Sequence, residues 1–323
     1  MGRILEIRDL RTYFKTDRGT VKALDGVNLD LNEGETLGIV GESGCGKTML
    51  ALSILKLVPT PPGRIVSGSV TFAGTDLIRL SEDEMRRIRG RDISMIFQEP
   101  MTSLNPVFRV GEQIAETMML HLGLNRRDAM ERAVDMLKLV GMPAPEVMVL
   151  DYPHQMSGGM RQRVMIAMAM SCSPKLMLAD EPTTALDVTI QAQILDLIVK
   201  MKEKTGTAVI LITHDLGVIA EAAHRVAVMY AGKFVEYGSV KAIFKNPLHP
   251  YTSGLMASIP TMDEIGPVKK KLAVIPGMVP GFSNVSRGCR FEDRCSCRIK
   301  ACGKQEPPLE ERMPGHLVSC WLI

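Results

Sequence analysis

The sequence predicts an α/β fold built on a buried parallel sheet, and three segments carry that prediction. ETLGIVG (35–41), KLMLADEP (175–182) and TAVILITHD (207–215) are apolar runs that each end in polar residues. Unbroken runs of this length suit strands covered on both faces, which is the habit of parallel sheets. Segments of helical period lie between them, so strands and helices alternate along the chain. In open sheets of this kind ligands gather beyond the carboxyl ends of the strands. All three runs place their polar residues at that end.

Composition narrows the class. The chain has 323 residues, 46% of them hydrophobic, enough for one large core or two smaller ones. A net charge of +3 gives no electrostatic case for nucleic acid. The opening MGRILEIRDLRTYF is charged from the start, unlike a secretory leader. The longest apolar runs fall well short of the ~18 residues that a membrane-spanning helix needs. These features predict a soluble, cytoplasmic chain that is still able to dock on a membrane protein.

In chain order, RILEIRDL (3–10) alternates and reads as a strand, and a second strand pattern covers 21–31. The first buried run follows, and KTMLALSILKLV reads as a helix directly after it. Residues 110–160 are helix-like and rich in Met and charge, which suggests a helical lobe over about 100–160. VTIQAQILDLIVKMKEK sets Ile190, Ile194, Leu197, Ile198 and Met201 at helical spacing, a core-facing stripe. After about residue 245 the texture changes to proline-rich, weakly periodic sequence such as NPLHPY and QEPPLEERMPG. The chain therefore reads as a main domain, 1–245, and an appended loop-rich extension, 246–323.

GESGCGKT (41–48) matches the P-loop pattern G-x-x-x-x-G-K-[ST], between a strand pattern and a helix. Glycines let the backbone curl so that successive N–H groups point at phosphates, and the helix N-terminus adds a positive dipole end. Gly41, Ser43, Gly44, Cys45 and Gly46 would form the cradle. Lys47 would reach the β- and γ-phosphates, and Thr48 would hold Mg²⁺. Past the second buried run, Asp180 is placed for the Mg²⁺ shell and Glu181 for the attacking water.

With these motifs in place, the chain resembles an ATP-binding subunit of an ABC transporter. MSGGM (156–160) resembles the signature motif, Gln98 in MIFQEP the Q-loop glutamine, ALD (185–187) the D-loop, and His214 in LITHD the switch histidine. The resemblance implies a P-loop NTPase fold of the ABC type with a helical subdomain. It also implies two ATP molecules sandwiched between two such domains. In that arrangement Ser157, Gly158 and Gly159 meet the γ-phosphate of ATP held by the other subunit, and Ser157 can cap the following helix. His214 contacts the γ-phosphate, Asp187 communicates across the dimer, and Gln98 senses Mg²⁺ or the attacking water. Phe14 matches the spacing of the aromatic that stacks on adenine, with Tyr13 as the competing choice. Met156 and Met160 depart from the family's usual Leu and Gln. A thioether cannot donate the hydrogen bonds of an amide, so position 160 cannot make an amide's contact to nucleotide.

EPMTSLNPVFRVGEQI (99–114), DYPHQMSGGMRQRVMIAMAM (151–170), DEPTTALDVTIQAQIL (180–195) and NPLHPYTSGL (246–255) look like the dipeptide/oligopeptide importer branch. That resemblance implies a peripheral ATPase on the cytoplasmic face of the membrane. Its implied partners are a second, homologous ATPase subunit that makes a heteromeric pair with this one, two transmembrane permease subunits and, indirectly, an extracellular peptide-binding protein. Residues 99–120 would receive the permeases' coupling helices. Nickel importers share much of the pattern. A soluble ABC ATPase acting on DNA or the ribosome is a further alternative, although such chains usually carry two nucleotide domains or a long coiled coil.

Five cysteines fall in the last thirty-five residues, against two in the 288 before them. Cys289, Cys295, Cys302 and Cys320 leave five, six and seventeen residues between them, without the paired C-x-x-C knuckles of a zinc ribbon. They fit the peptide-importer tail, whose close members are associated with a [4Fe–4S] cluster. Zinc, disulfides and free thiols remain the alternatives, with Cys297 as a spare ligand and His316 as another. A cluster here would cross-link a segment too poor in large hydrophobes to form its own core. Cys45 and Cys172 read as non-ligands.

Overall fold

The computed structural model of the chain describes residues 2–17, 19–98, 103–184, 186–258, 274–279 and 287–323, without the side chain of residue 188. Residues 99–102 of the expected docking region and residue 185 of the ALD stretch lie outside them. The strands are β1 (Arg3–Thr16), β2 (Gly19–Asn32), β3 (Thr36–Val40), β4 (Gly63–Phe72), β5 (Thr75–Asp76), β6 (Ile93–Ile96), β7 (Leu176–Asp180), β8 (Ala208–Ile212), β9 (Arg225–Tyr230), β10 (Lys233–Ser239), β11 (Glu310–Met313) and β12 (His316–Val318). The helices are α1 (Lys47–Ile54), α2 (Glu82–Ile88), α3 (Val110–Leu122), α4 (Arg126–Leu139), α5 (Pro145–Met148), α6 (Gly158–Met170), α7 (Val188–Thr205), α8 (Leu216–Ala222), α9 (Val240–Lys245) and α10 (Pro250–Ala257). All three buried runs are strands, and among the described residues no helix is long and apolar enough to cross a membrane.

The chain divides into two compact units. The first comprises 1–5, 30–36 and 71–212; the second comprises 6–29, 37–70 and 213–323. In the first, β6, β7 and β8 lie side by side and parallel, with Ile93 opposite Leu176 and Asp180 opposite Ile212. Every residue of β7 and β8 is buried, as their unbroken apolar runs require. The helical lobe is present: α3 and α4 pack on each other and on α6, and α6 packs on α7. Asn125 caps α4 by accepting from the Asp128 amide, and Asp187 caps α7 by accepting from that of Ile190. Ile194, Leu197, Ile198 and Met201 form the buried stripe of α7. Ile190, the first residue of that stripe, is only half-buried and packs on Gly159, where an added Cβ would lie 2.9 Å from Ile190 Cγ2.

In the second unit, β2, β1 and β4 are neighbours in that order. β3 runs parallel to β9, with Leu37 opposite Arg225 and Val40 opposite Val228. β10 pairs antiparallel with β9 on one edge and with β12 on the other, and β11 pairs antiparallel with β12. The end of the chain thus adds two short strands to β10. It also contributes apolar side chains to this unit's interior, with Phe291, Cys302, Val318 and Cys320 all buried.

Candidate functional site

The P-loop follows β3 directly. Gly41, Gly44 and Gly46 have φ of 155°, 76° and 114°. A Cβ on Gly41 would meet the Met229 carbonyl oxygen at 2.2 Å, so only glycine fits there. Ser43 and Gly44 are exposed at the tip, Thr48 is half-buried, and Cys45 and Lys47 are buried. Lys47 Nζ donates to the carbonyl oxygens of Gly41 at 2.7 Å and Glu42 at 3.0 Å. The ammonium therefore rests inside the loop whose amides would receive phosphate. Burial pushes the Cys45 thiol up, which suits a packing role.

In the first unit, β7 ends in Asp180, which is buried, and Glu181, which follows the strand, is half-buried. Glu181 has φ 47°, a left-handed conformation that is uncommon outside glycine and is characteristic of functional sites. Its Oε2 accepts from Gln98 Nε2 at 3.0 Å and from Thr184 Oγ1 at 2.9 Å. The fold thus joins the predicted catalytic acid to the predicted Q-loop glutamine across 83 positions of sequence. Thr184 is a partner that motif reading passed over. Its signal was a hydroxyl three residues after the acid, within reach of a turn.

The signature segment lies in the same unit. Ser157 caps α6 as expected, its Oγ accepting from the Met160 amide at 3.4 Å. Gly158 and Gly159 open the helix, and an added Cβ on Gly158 would touch Leu186 at 3.6 Å. Met156 is buried and Met160 half-buried. Asp187 is exposed, with its side chain occupied in capping α7.

In the second unit, His214 is exposed beyond the end of β8. Asp215, next to it, caps α8 by accepting from the amides of Gly217 and Val218. Both candidate aromatics are half-buried. Tyr13 donates its hydroxyl to Asp25 at 2.6 Å, and Lys22 lies over its ring at 5.6 Å. Burial first, and the Asp25 bond second, push Tyr13 up to about 12. Phe14 has its ring against Gly63, where a Cβ would come within 2.7 Å.

The expected docking region has a matching surface feature. A groove of about 560 Å³ in the helical lobe is lined by Phe108, Ala115, Met119, Leu120 and Met130 together with Glu112, Glu116 and Arg126. Phe108 is 52% exposed and Leu120 is 74% exposed, a large apolar surface to leave in water.

The cysteine tail is held to the second unit by polar and aromatic anchors. Gly288 lets the chain pass the Cys302 carbonyl, which would lie 1.9 Å from an added Cβ, and the Cys289 amide donates to that carbonyl at 2.7 Å. Arg290 pairs with Asp25 and donates to the Ala231 carbonyl. Burial would raise Asp25, but the Tyr13 bond and the Arg290 charge bring it below its ordinary value. Phe291 packs against Tyr230 and Tyr251 at ring separations of 5.3 and 5.4 Å. Glu236, fully buried in β10, accepts from the amides of Leu248 at 2.7 Å and His249 at 3.0 Å. His316 does not join the thiols, because its Nε2 is bound to Glu236 at 2.7 Å.

All seven cysteines are unbridged. Burial pushes Cys289 up to about 11, with the nearby Cys302, Cys320 and Cys295 raising it further. Cys295 and Cys320 are raised by burial and by neighbouring thiols in the same way. The tail therefore gathers its thiols within electrostatic reach of one another. Even so, among the described residues no group of three or more His, Cys, Asp or Glu side chains is placed to hold a metal ion. The expected iron–sulfur ligand set is thus not assembled here. Cys297 is exposed, and Cys172, in the first unit, packs near the Thr117 carbonyl at 3.7 Å.

Comparison with known proteins fits this layout. Residues 24–184 match the family model described as ABC transporter, and 235–302 match the oligopeptide/dipeptide transporter C-terminal region. The chain is 54% identical over 318 residues to the "Probable peptide ABC transporter ATP-binding protein y4tR" of Sinorhizobium fredii, covering 98% of this chain and 94% of that one. It is 52% identical over 321 residues to the "Oligopeptide transport ATP-binding protein OppD" of Bacillus subtilis, covering 99% and 89%. Among solved structures, the dimeric ATP-binding cassette MJ0796 bound to ADP and Pi aligns with a TM-score of 0.66 at 28% identity, over 73% of this chain and 99% of that one. A P-loop on β3, an acid pair on β7, a capped glycine pair opening α6 and a matching C-terminal region leave one assignment: the chain belongs to the ABC transporter ATP-binding proteins, in their oligopeptide/dipeptide branch.

Proposed function

We propose that this chain is the ATP-hydrolysing subunit of a membrane importer for di- or oligopeptides, bound peripherally at the cytoplasmic face. The single observation that carries the hydrolytic reading is Glu181, held by Gln98 and Thr184 at the end of β7. A carboxylate fixed by these donors at a strand end is oriented to position and deprotonate water. Lys47 and the amides of Gly44 to Thr48 bind the β- and γ-phosphates, and His214 contacts the γ-phosphate. Phe14 or Tyr13 stacks on adenine. Thr48, Asp180 and Gln98 offer the hard oxygen donors that Mg²⁺ takes. When bound, Mg²⁺ neutralises charge developing between the β- and γ-phosphates.

Ser157, Gly158 and Gly159 present amides at a helix N-terminus, suited to the γ-phosphate of ATP on a second, homologous subunit. Asp187 lies on the face that meets that subunit. The dimeric state of the ATP-binding cassette MJ0796 supports this reading. Residues 1–245 form the nucleotide-binding domain and 246–323 its extension. The exposed groove around Phe108 and Leu120 receives the coupling helices of two permease subunits, and a separate binding protein delivers peptide to them. ATP binding closes the ATPase pair and hydrolysis reopens it, and each state favours a different permease conformation.

Glu181→Gln tests the hydrolytic role. Turnover should fall by about 10²–10⁴-fold while ATP stays bound and promotes dimers in size-exclusion chromatography. Unchanged hydrolysis removes Glu181 from this role. Uptake of labelled peptides against nickel ions, in cells with and without the gene, separates the peptide cargo from the nickel alternative.

The thiols support a finer reading, a [4Fe–4S] cluster on Cys289, Cys295, Cys302 and Cys320. Their mutual electrostatic influence and the matching C-terminal region favour it, and the missing ligand convergence counts against it. Iron and acid-labile sulfide measured on anaerobically purified protein decide it. About four of each per chain supports the cluster, as the stoichiometry of such centres requires. Zinc alone, or no metal, rejects it.

A further inference from the structure

Arg294 belongs to the cysteine tail, one position before Cys295, yet its guanidinium closes on the P-loop. Nη1 donates to Glu42 Oε2 at 2.6 Å and Nη2 to Glu42 Oε1 at 2.9 Å. This is the two-pronged geometry in which arginine grips a carboxylate best. The Arg294 side chain is only 5% exposed. From the tail side it is fixed by Nε donating to the Pro276 carbonyl at 2.8 Å, and its guanidinium lies over the rings of Tyr230 and Phe291. The backbone of Glu42 is held too, its amide donating to Tyr251 Oη at 2.9 Å. Glu42 is also one of the two carbonyls that receive Lys47 Nζ. Two residues from beyond position 245 therefore grip the same P-loop residue that the phosphate-binding lysine touches.

A loop with three glycines in left-handed conformations has many ways to lie, and ordering it on binding costs affinity. We propose that Arg294 is a positioning residue for ATP. Through Glu42 it holds the P-loop ready for phosphate, so nucleotide affinity depends on the cysteine tail being seated. The inference rests on the reading of the P-loop as the ATP site. Linkage makes the effect reciprocal: whatever factor the seated tail adds to ATP affinity, bound ATP adds to the seating of the tail.

The test uses the full chain, with Arg294→Met, Glu42→Gln and the double variant. A fluorescent ATP analogue gives Kd, steady-state turnover gives kcat and KM, and hydrogen exchange at the amides of Cys289 and Arg294 follows the seating of the tail with and without ATP. Each single variant should weaken ATP by about tenfold with kcat changed less than about twofold, equivalent to ~1.4 kcal/mol. The double variant should be no weaker than either single one, since both remove one interaction. ATP should slow exchange at these two amides in the wild-type chain and lose that effect in the variants. If Arg294→Met unseats the tail outright, Glu42→Gln still decides, because it leaves every contact within the tail in place. Wild-type affinity in Glu42→Gln, or a double variant whose loss is the product of the single losses, overturns the link alone. A wild-type chain that binds no ATP overturns the P-loop reading and the link with it.

Discussion

Glu236 is the buried anchor of the C-terminal extension, and its loss should be read locally. The carboxylate sits in β10 with no solvent exposure and serves three donors: the Leu248 amide, the His249 amide and His316 Nε2, at 2.7, 3.0 and 2.7 Å. Glu236→Gln keeps the shape but turns one acceptor oxygen into an amide donor. With its oxygen toward Leu248 and His316, the new NH₂ faces the His249 N–H. One buried donor left unsatisfied costs about 2 kcal/mol, near the middle of the range for such groups. Glu236→Ala strands all three donors, and allowing for non-additivity the cost is about 4 kcal/mol. Where local opening precedes exchange, these figures translate to roughly 30-fold and 10³-fold faster hydrogen exchange. Native-state exchange at the amides of 248, 249 and 316–318 reads this out without requiring two-state unfolding of a chain with two units. Protection within about twofold of wild type in Glu236→Ala would refute the anchor. Equal effects of Gln and Ala would refute the donor count.

Other outcomes follow from single contacts. Thr184→Val removes a donor to Glu181 and should lower kcat roughly 3–10-fold with KM for ATP little changed, measured by phosphate release. Gly288→Ala drives a Cβ into the Cys302 carbonyl and should expose the tail to proteolysis. Phe108→Asp with Leu120→Asp should abolish co-purification with the permease subunits while basal hydrolysis persists. Burial pushes the His249 imidazole down to about 4, and its Nδ1 accepts the Tyr251 amide. The unfolded chain, with a pKa near 6.5, takes up its proton first, so this residue's contribution is full above that pH and is lost as pH falls toward about 4. Between pH 6.5 and 5 the loss reaches about 2 kcal/mol. His249→Asn, which keeps a capping acceptor, should remove that part of the pH slope in urea unfolding.

Features that depend on local spacing were legible in the sequence. The three buried runs, the glycine loop on a strand end, the Ser157 cap and four of the five stripe residues on α7 are each decided within a few positions of backbone. Features that join distant positions were not. Arg294 and Glu42 are 252 residues apart, and nothing in the spacing of a cysteine motif says that an arginine within it serves the P-loop. His316 looked like a spare ligand because a lone histidine near cysteines carries no mark of a buried glutamate 80 residues away. Ile190 shows the same limit: helical period places it on the core face, but its partner is Gly159, chosen by how α6 and α7 cross. Patterns report which face is buried, whereas pairing among buried polar groups is settled only once the chain has closed.

The placement of Gln98 bears on how a chain whose described residues include no membrane-spanning helix would serve a membrane process. Gln98 touches Glu181 directly, and the next described stretch, from 103 onward, leads into the apolar groove on α3. Glu181, Gln98 and the groove all belong to the first unit, so under the proposed function a partner seated in the groove would act on the same body that orients the attacking water. Glu42 of the P-loop, by contrast, is gripped by Arg294 and Tyr251 of the C-terminal extension, all in the second unit. Hydrolysis and affinity therefore have separate handles. A groove ligand should alter kcat first, and a perturbed tail should alter KM first. Combining Phe108→Asp with Glu42→Gln sets these against each other: if the handles are independent, the double variant's kcat and KM are each set by one substitution alone.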